Sequence, residues 1–489
     1  MNLDPEICYR AWVSRDRRFD GRFFMGVTST GIYCRPGCPA RVPARHRCEF
    51  YASPAAAEAA GFRPCKRCRP ESSPGSAAAL GTSATVTRAL RLIDEGALDT
   101  GSVEQLGARL GVTDRWLREL FADQVGASPH QVALTRRVHL AKQLLETSDL
   151  ALEDIALAAG FGGARQLRAA VQQTFRCAPS ELRGKRTSTP GASLRIAARG
   201  LFEPGPLLGF LATRAIPGVE EVQDGVYRRT AWLGNAATVV AMDTAAEHGA
   251  IMLRLSAALP HALLTAVARA TRVFDLHTDA AEVAAQLRAS DPLFARLLRG
   301  RSLRVPGAWD AFELGVRALL GQQVTVAGAR TVATRLVLAC GQKLPTPEGA
   351  LTHLFPTPAA VAAAPLETLG MPGARARALR GFARAVADGT LDLQALGGLD
   401  DAVAALTALP GIGDWTAQYI AMRALGEPDA FPAGDLAVRK AIARGGALPS
   451  ERQAIAHAER WRPFRAYATF ALWTLEAHAA APQRRKGKS

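Results

Sequence analysis

The sequence contains no uninterrupted apolar run approaching 18 residues, which excludes an ordinary membrane-spanning helix. Its opening residues, MNLDPEICYR, lack the basic-then-apolar pattern of a secretory signal. Cysteine is scarce: 489 residues hold eight, too few for a disulfide framework. Four of these eight are clustered at metal-ligand spacing, so the expectation is a reducing, cytoplasmic setting with bound metal. No internal repeat governs the chain, although one helical segment contains an approximate duplication.

Hydrophobic residues make up 48% and charged residues 21%, a globular composition. The length implies about three or four domains. Net charge is +16 and unevenly placed. Residues 1–70 hold 13 Lys/Arg against 6 Asp/Glu, residues 71–186 hold 14 against 13, and the remainder 33 against 25. The basic surplus therefore sits at the two ends, which favours a polyanionic partner, nucleic acid being the commonest.

Two stretches rich in small, polar and breaker residues read as joints: PESSPGSAAALGTSAT (70–85) and RGKRTSTPGAS (183–193). They divide the chain into a cysteine unit (1–70), a linker (71–85), a helical unit (86–183), a second linker (184–193) and a long C-terminal part. That part divides again into a mixed segment (194–290), with probable strands at SLRIAAR and GAIMLRL, and an almost wholly helical segment (291–482). A basic tail (483–489) follows. The expected fold class is multidomain, mainly α with α+β parts.

In the cysteine unit, Cys34 and Cys38 form a C-x3-C pair and Cys65 and Cys68 a C-x2-C pair. Two such pairs complete a tetrahedral four-thiolate zinc site, and spacing alone favours one that only folds the unit. The surroundings (Arg35, Arg41, Arg45, Arg63, Lys66, Arg67, Arg69) open a second reading. A zinc thiolate is deprotonated and nucleophilic at neutral pH, and a cationic rim attracts DNA phosphates.

The runs FMGVTSTGIYCRPGCPAR and FYASPAAAEAAGFRPCKRCRP resemble the N-terminal methyltransferase domain of the Ada family. The resemblance implies that Cys34 is both a ligand of one zinc ion and the acceptor of a methyl group from a DNA methylphosphotriester. Cys38, Cys65 and Cys68 are then the remaining ligands, with Arg35 and Arg67 near the DNA. A stable thioether product makes the transfer stoichiometric. Cys8 and Cys48 fall outside the spacing and read as small buried residues.

The helical unit holds two helix-turn-helix candidates, SVEQLGARLGVTDRWLRELFADQVG and ALEDIALAAGFGGARQLRAAVQQTF, with Gly111 and Gly160 at the turns. Exposed residues early in the second helix of each are Arg115 and Arg118, and Arg165, Gln166 and Arg168. The tandem arrangement resembles the AraC-type DNA-binding domain, which also follows the methyl-acceptor domain in Ada. It implies that methylation of Cys34 switches on transcription. The second methyltransferase motif of Ada, Pro-Cys-His-Arg, is absent from this sequence.

The C-terminal part carries LPGIG (409–413), a helix-hairpin-helix signature. Gly411 and Gly413 free backbone N–H groups to grip phosphate without reading sequence. Asp435 follows FPAG and precedes LAVRKAI, a helix N-cap position where the dipole favours negative charge. Trp415 and Tyr419 share one helical face. Hairpin, loop and aspartate together resemble the base-excision glycosylases, most closely those of AlkA type. That likeness also covers AWDAFELGVRALLGQQVTVAGAR, RWRPFRAYATFALWTLEAH and the mixed segment.

The resemblance implies Asp435 as catalyst and Trp415, Tyr419 and Trp473 as a wall for a cationic base. Gln323 stands in the turn that in AlkA supplies an apolar wedge. Trp415 occupies the place of the lyase lysine of bifunctional relatives, so a monofunctional glycosylase is expected. No cysteine follows Cys340, so no iron–sulfur cluster is expected, nor any cofactor for base excision. The expected partners are double-stranded DNA, alkylated and promoter, and, for an activator, RNA polymerase. No membrane partner is expected, and the expected state is a monomeric, nucleoid-associated bacterial protein. The rival reading is a transcription regulator whose glycosylase-like end is an inert DNA-binding scaffold.

Overall fold

The computed structural model describes residues 4–480 except 17–18, 69, 71–83, 149, 184–192, 257–261, 300, 302, 397 and 444. Nearly all of both joints, Arg69 and the basic tail lie outside the described residues. No helix among the described residues is long and apolar enough to cross a membrane.

The cysteine unit begins with α1 (Pro5–Val13) and folds around a small sheet of β1 (Phe24–Val27), β2 (Ile32–Cys34), β3 (Cys48–Tyr51) and β4 (Arg63–Pro64), with α2 (Pro54–Ala59) before the last strand. The strand order is β3-β1-β2-β4, with β2 and β4 parallel. Strands of two to four residues bury little, and the four cysteines themselves occupy the core beside Trp12, Met25 and Val27.

The helical unit comprises α3 (Ala84–Asp94), α4 (Ala97–Thr100), α5 (Val103–Arg109), α6 (Asp114–Gln124), α7 (Pro129–Thr147), α8 (Leu152–Ala158) and α9 (Ala164–Phe175); for its two candidate DNA-reading helices, α6 and α9, it is hereafter the reader unit. The pairs α5–α6 and α8–α9 are the two helix-turn-helix elements, and Gly111 and Gly160 have left-handed φ values of 73° and 79°. Capping boxes start α5 at Ser102 and α7 at Ser128, each satisfying otherwise orphaned N–H groups.

Next come β5 (Ser193–Ala197), α10 (Gly205–Arg214), β6 (Glu220–Gln223), β7 (Val226–Leu233), β8 (Ala236–Asp243) and β9 (Ala250–Leu255). These five strands form an antiparallel sheet in the order β5-β9-β8-β7-β6. Helices α11 (Leu263–Val273), α12 (Ala280–Ser290) and α13 (Pro292–Leu297) follow.

The last unit contains α14 (Ala311–Leu320), α15 (Val326–Cys340), a hairpin of β10 (Lys343–Glu348) and β11 (Leu351–His353), α16 (Pro358–Ala363) and α17 (Gly373–Ala387). It ends with α18 (Leu399–Thr407), α19 (Asp414–Ile420), α20 (Leu436–Ala443), α21 (Glu451–Ala458) and α22 (Arg465–Ala480). The hairpin is an exception to the almost wholly helical expectation.

The units are packed together. One apolar core runs without a break from α7–α9 through the five-stranded sheet into the helical end. On the other side, Arg91 of α3 donates to the carbonyls of Leu425 and Gln394, both at 2.7 Å, and Arg109 grips Asp392 and Gln394. Burial pushes the Arg91 guanidinium down to about 10, and its carbonyl partners satisfy the N–H groups that burial removes from water.

Candidate functional site

Parallel pairing of β2 and β4 sets Tyr33 opposite Pro64, so Cys34 and Cys65, each one residue further on, lie side by side. The Cys65 N–H donates to the Tyr33 carbonyl at 3.0 Å, and a tight turn returns Cys38, whose N–H donates to the Arg35 carbonyl at 3.2 Å. The four sulfurs of Cys34, Cys38, Cys65 and Cys68 lie within 4.8 Å of one another, all buried. Crowded together, the thiols hydrogen-bond one another and split. Hydrogen bonds that Cys34 donates to Cys38, Cys65 and Cys68 push its thiol up, whereas accepting from Cys34 leads in pulling Cys65 down. Four soft donors converging on one point in a closed site fit zinc. Cys8 and Cys48 are buried but outside the ligand group, Cys48 packing in the same small core and Cys8 in a separate one, and burial pushes the Cys8 thiol up to about 11.

The basic rim is only partly free. Arg35 pairs with Asp20 at 3.1 Å, and Arg45 pairs with Glu6 and stacks over Tyr9 and Phe50. Arg41, Lys66 and Arg67 are exposed. On the reading helices, Arg115 is 87% exposed beside Glu119, and Arg118 lies 3.6 Å from Asp114. Arg165, Gln166 and Arg168 are exposed on α9, although the Gln166 carbonyl also accepts from the Gly162 N–H. Trp116, 51% exposed on α6, is an apolar surface residue that the sequence reading passed over in favour of its arginine neighbours.

In the helical end, residues 409–413 form the hairpin between α18 and α19. Gly411 has φ of 86°, and a Cβ there would stand 2.4 Å from the Ala378 Cβ. Gly411→Ala is therefore expected to lower stability by about 2–4 kcal/mol, from left-handed strain plus overpacking, measured as a shift in denaturation midpoint. Ile412 anchors the hairpin in the core, while Gly411 and Gly413 are exposed. The Gln322 amide ties the hairpin to the preceding turn by donating to the Gly411 carbonyl and Thr416 Oγ1, both at 3.0 Å. Gln323 next to it is exposed with φ of 54°, followed by Val324 at 43% exposure.

Asp435 caps α20: its Oδ1 accepts from the N–H groups of Ala437 (3.0 Å) and Val438 (3.1 Å). Two indoles complete its shell, Trp473 donating to Oδ1 at 3.1 Å and Trp415 to Oδ2 at 3.2 Å. Trp415 stacks on Tyr419 with centroids 5.3 Å apart and planes within 10°. Trp473 lies 6.0 Å from Tyr419. The aspartate and all three aromatics line one cavity of about 440 Å³, large enough for a flipped base.

The same cavity is walled by residues from elsewhere in the chain. Phe210 and Arg214 reach in from α10, with the Arg214 guanidinium stacked 3.7 Å above the Phe210 ring. Arg423 donates to the Tyr419 hydroxyl at 2.8 Å. Behind them, Arg229 and Arg317 hold Glu313 and Glu220 in a buried network joining the sheet to α14. Burial alone pushes Glu220 up; Arg317 and Arg229 outweigh it and hold the carboxyl at about 2. Arg214 with Phe210, Arg423 with Tyr419 and Arg317 with Glu313 are each one helical turn apart, but what brings them to one cavity is long-range: Arg229 meets Glu313 across 84 positions and Arg317 meets Glu220 across 97.

Four family descriptions match in chain order: the metal-binding domain of Ada over residues 7–71, a helix-turn-helix domain over 106–185, the AlkA N-terminal domain over 193–310, and the HhH-GPD superfamily of base excision DNA repair proteins over 316–465. A probable bifunctional transcriptional activator/DNA repair enzyme AlkA of Mycobacterium tuberculosis is 42% identical over 487 residues, 98% of each chain. The DNA-3-methyladenine glycosylase 2 of Escherichia coli is 39% identical over 276 residues, 55% of this chain and 93% of that one. Among solved structures, a 3-methyladenine DNA-glycosylase from Archaeoglobus fulgidus shares the fold of the C-terminal part. Its TM-score is 0.51 at 23% identity, over 58% of this chain and 98% of that one. With near-complete coverage at this identity and all four domains in order, the chain belongs to the family of bifunctional AlkA transcriptional activator/DNA repair enzymes.

Proposed function

We propose that the C-terminal units excise alkylated purines from double-stranded DNA, and that the N-terminal units repair methylphosphotriesters and read promoter DNA. The observation that carries the first part is the Asp435 carboxylate held at the mouth of an aromatic cavity by four N–H donors. A purine alkylated on a ring nitrogen is cationic. Stacked against Trp415 and Tyr419, it gains attraction that a neutral purine lacks. The C1′–N bond breaks with its electron pair going to the purine, which leaves neutral. Positive charge on the sugar is then balanced by Asp435, water adds to C1′ and loses its proton, and an abasic site remains. No lysine stands at Trp415 to form a Schiff base with that sugar.

The hairpin at residues 409–413 holds the backbone beside the lesion, and Gln323 with Val324 forms the exposed tip beside the cavity, Val324 being part of its wall. Trp415→Ala is expected to reduce kcat/KM for a cationic alkylpurine by about 30-fold, from loss of a desolvated cation–π contact. Trp415→Phe keeps a smaller aromatic face and loses the indole N–H, and should stay within about tenfold. Single-turnover release from duplex DNA containing one alkylated purine distinguishes them.

At the N-terminal end, bound zinc would keep the Cys34 sulfur deprotonated at neutral pH. The thiolate attacks the methyl carbon of a methylphosphotriester; the S–CH3 bond forms, the O–CH3 bond breaks, and an ordinary phosphodiester anion leaves. One methyl is consumed per chain, and the acceptor loses one negative charge facing DNA. Arg67 and the neighbouring exposed cations supply the phosphate attraction, and α6 and α9 the sequence reading. Peptide mass spectrometry after incubation with methylated DNA should find one added methyl, on Cys34. An unmodified Cys34 would leave the cluster a folding element only.

A further inference from the structure

Helix α2 belongs to the cysteine unit, yet it touches the C-terminal ends of both reading helices. Its N-cap Ser53, buried, donates from Oγ to the carbonyl of Val125 at 2.9 Å, and Val125 is the C-cap of α6. The next residue, Gly126, approaches so closely that a Cβ there would lie 3.2 Å from Ala56. Two residues beyond the other end of α2, the Gly61 carbonyl accepts from Arg176 at 3.3 Å, and Arg176 is the C-cap of α9.

Between these two fastenings lies Glu58. Its Oε1 accepts from the Tyr33 hydroxyl at 2.9 Å and stands 2.7 Å from His139 Nε2; its Oε2 accepts from Thr135 Oγ1 at 2.8 Å. Thr135 and His139 are one turn apart on α7, the long helix between the two reading elements, and the His139 ring packs against Phe175 at the end of α9. Tyr33 is fully buried on β2, next to Cys34 and on the opposite strand face. Although burial pushes the Glu58 carboxyl up, His139, Thr135 and Tyr33 together hold it below the usual range.

A buried carboxylate with both oxygens hydrogen-bonded to side chains of two units is a stiff joint, costly to break and intolerant of altered geometry. We propose that α2, pinned through Glu58, is a brace that fixes the spacing and angle between the two reading helices, so that the methyl-acceptor unit sets which arrangement of two DNA half-elements the protein accepts. Glu58 is thus a positioning residue for DNA reading, with no DNA contact of its own. The inference rests on the assignment of α6 and α9 as DNA readers.

The test is selection from a random-sequence duplex pool with full-length wild type, Glu58→Ala and Glu58→Gln, each checked for zinc content and methyl uptake, which should be unchanged. Wild type is expected to select two elements at one spacing. Glu58→Ala should keep both base preferences but lose about tenfold in discrimination against spacings one base pair longer or shorter. Glu58→Gln, whose single carbonyl oxygen can replace only one of the two acceptors that Tyr33 and Thr135 use, should fall between them. A Glu58→Ala pool with the same single spacing as wild type overturns the brace, as does one in which the base preferences vanish along with the spacing. A wild-type pool without any sequence preference removes the DNA-reading assignment itself, and the brace with it.

Discussion

Asp435→Asn should slow release of alkylated purine from duplex DNA by on the order of 10²–10³-fold while leaving the protein folded. The substitution is nearly isosteric, and the amide oxygen can still accept from Ala437, Val438 and Trp473, the three donors at Oδ1. The N-cap of α20 is therefore kept, and the stability cost should stay near about 1 kcal/mol. What changes is at Oδ2: an NH2 group now faces the Trp415 N–H, donor against donor, and the negative charge beside the sugar is gone. A charge fixed by four N–H groups needs no reorganisation as the oxocarbenium develops, which is why its removal should affect rate so much more than fold. Single-turnover base release together with a thermal melt separates the two effects. Equal release by wild type and Asp435→Asn would overturn the assignment of Asp435 as catalyst, and release by both at only the rate of DNA alone would leave the helical end as a DNA-binding scaffold.

The residues that could be read from the sequence are those whose chemistry is local. Metal ligands two or three positions apart announce themselves, and so does an N-cap aspartate after a Gly/Pro loop, because the turn and cap impose residue types at fixed offsets. Trp415 and Tyr419 were legible for the same reason, being one turn apart. Phe210 and Arg214 were not, since they enter the cavity from a helix two hundred positions earlier. Glu58 gave no signal at all: an isolated Glu in a small alanine-rich helix reads as a solvated residue until His139 is placed beside it.

The strands divide along the same line. SLRIA alternates clearly, and AIMLRL is a short apolar run that alternates only toward its end. The β7–β8 hairpin could have been found from its Gly-Asn turn between apolar runs. By contrast, β10 carries two prolines in KLPTPE, a composition that argues against a strand unless it lies at a sheet edge, as it does in a two-stranded hairpin.

Extraction of zinc is expected to unfold the cysteine unit and end methyl uptake, with base excision within about twofold of the intact protein. The physical reason is the size of that unit's core. Its sheet has strands of two to four residues, and its central cluster consists largely of the cysteines themselves, with Trp12, Met25 and Val27. Domains this small rarely bury enough apolar surface to offset chain entropy without a staple. A structural zinc site can supply about 10 kcal/mol or more of the folding free energy. The helical end draws no apolar residue from the cysteine unit: the Asp435 cavity is lined from α10 and residues beyond it, and the core behind it, which continues into α7–α9, contains none of residues 1–70. Thiol labelling reads this directly. Once zinc is chelated, Cys34, Cys38, Cys65 and Cys68 should become reactive together, while the rate at Cys340 stays the same. Cys34→Ala should also abolish methyl uptake, but with three ligands left it should expose the remaining thiols only partly. If all four sulfurs stay protected after the metal is removed, the packing of α2 against the reader unit, rather than the ion, is what holds the fold together. The cluster would then be primarily a reactive site.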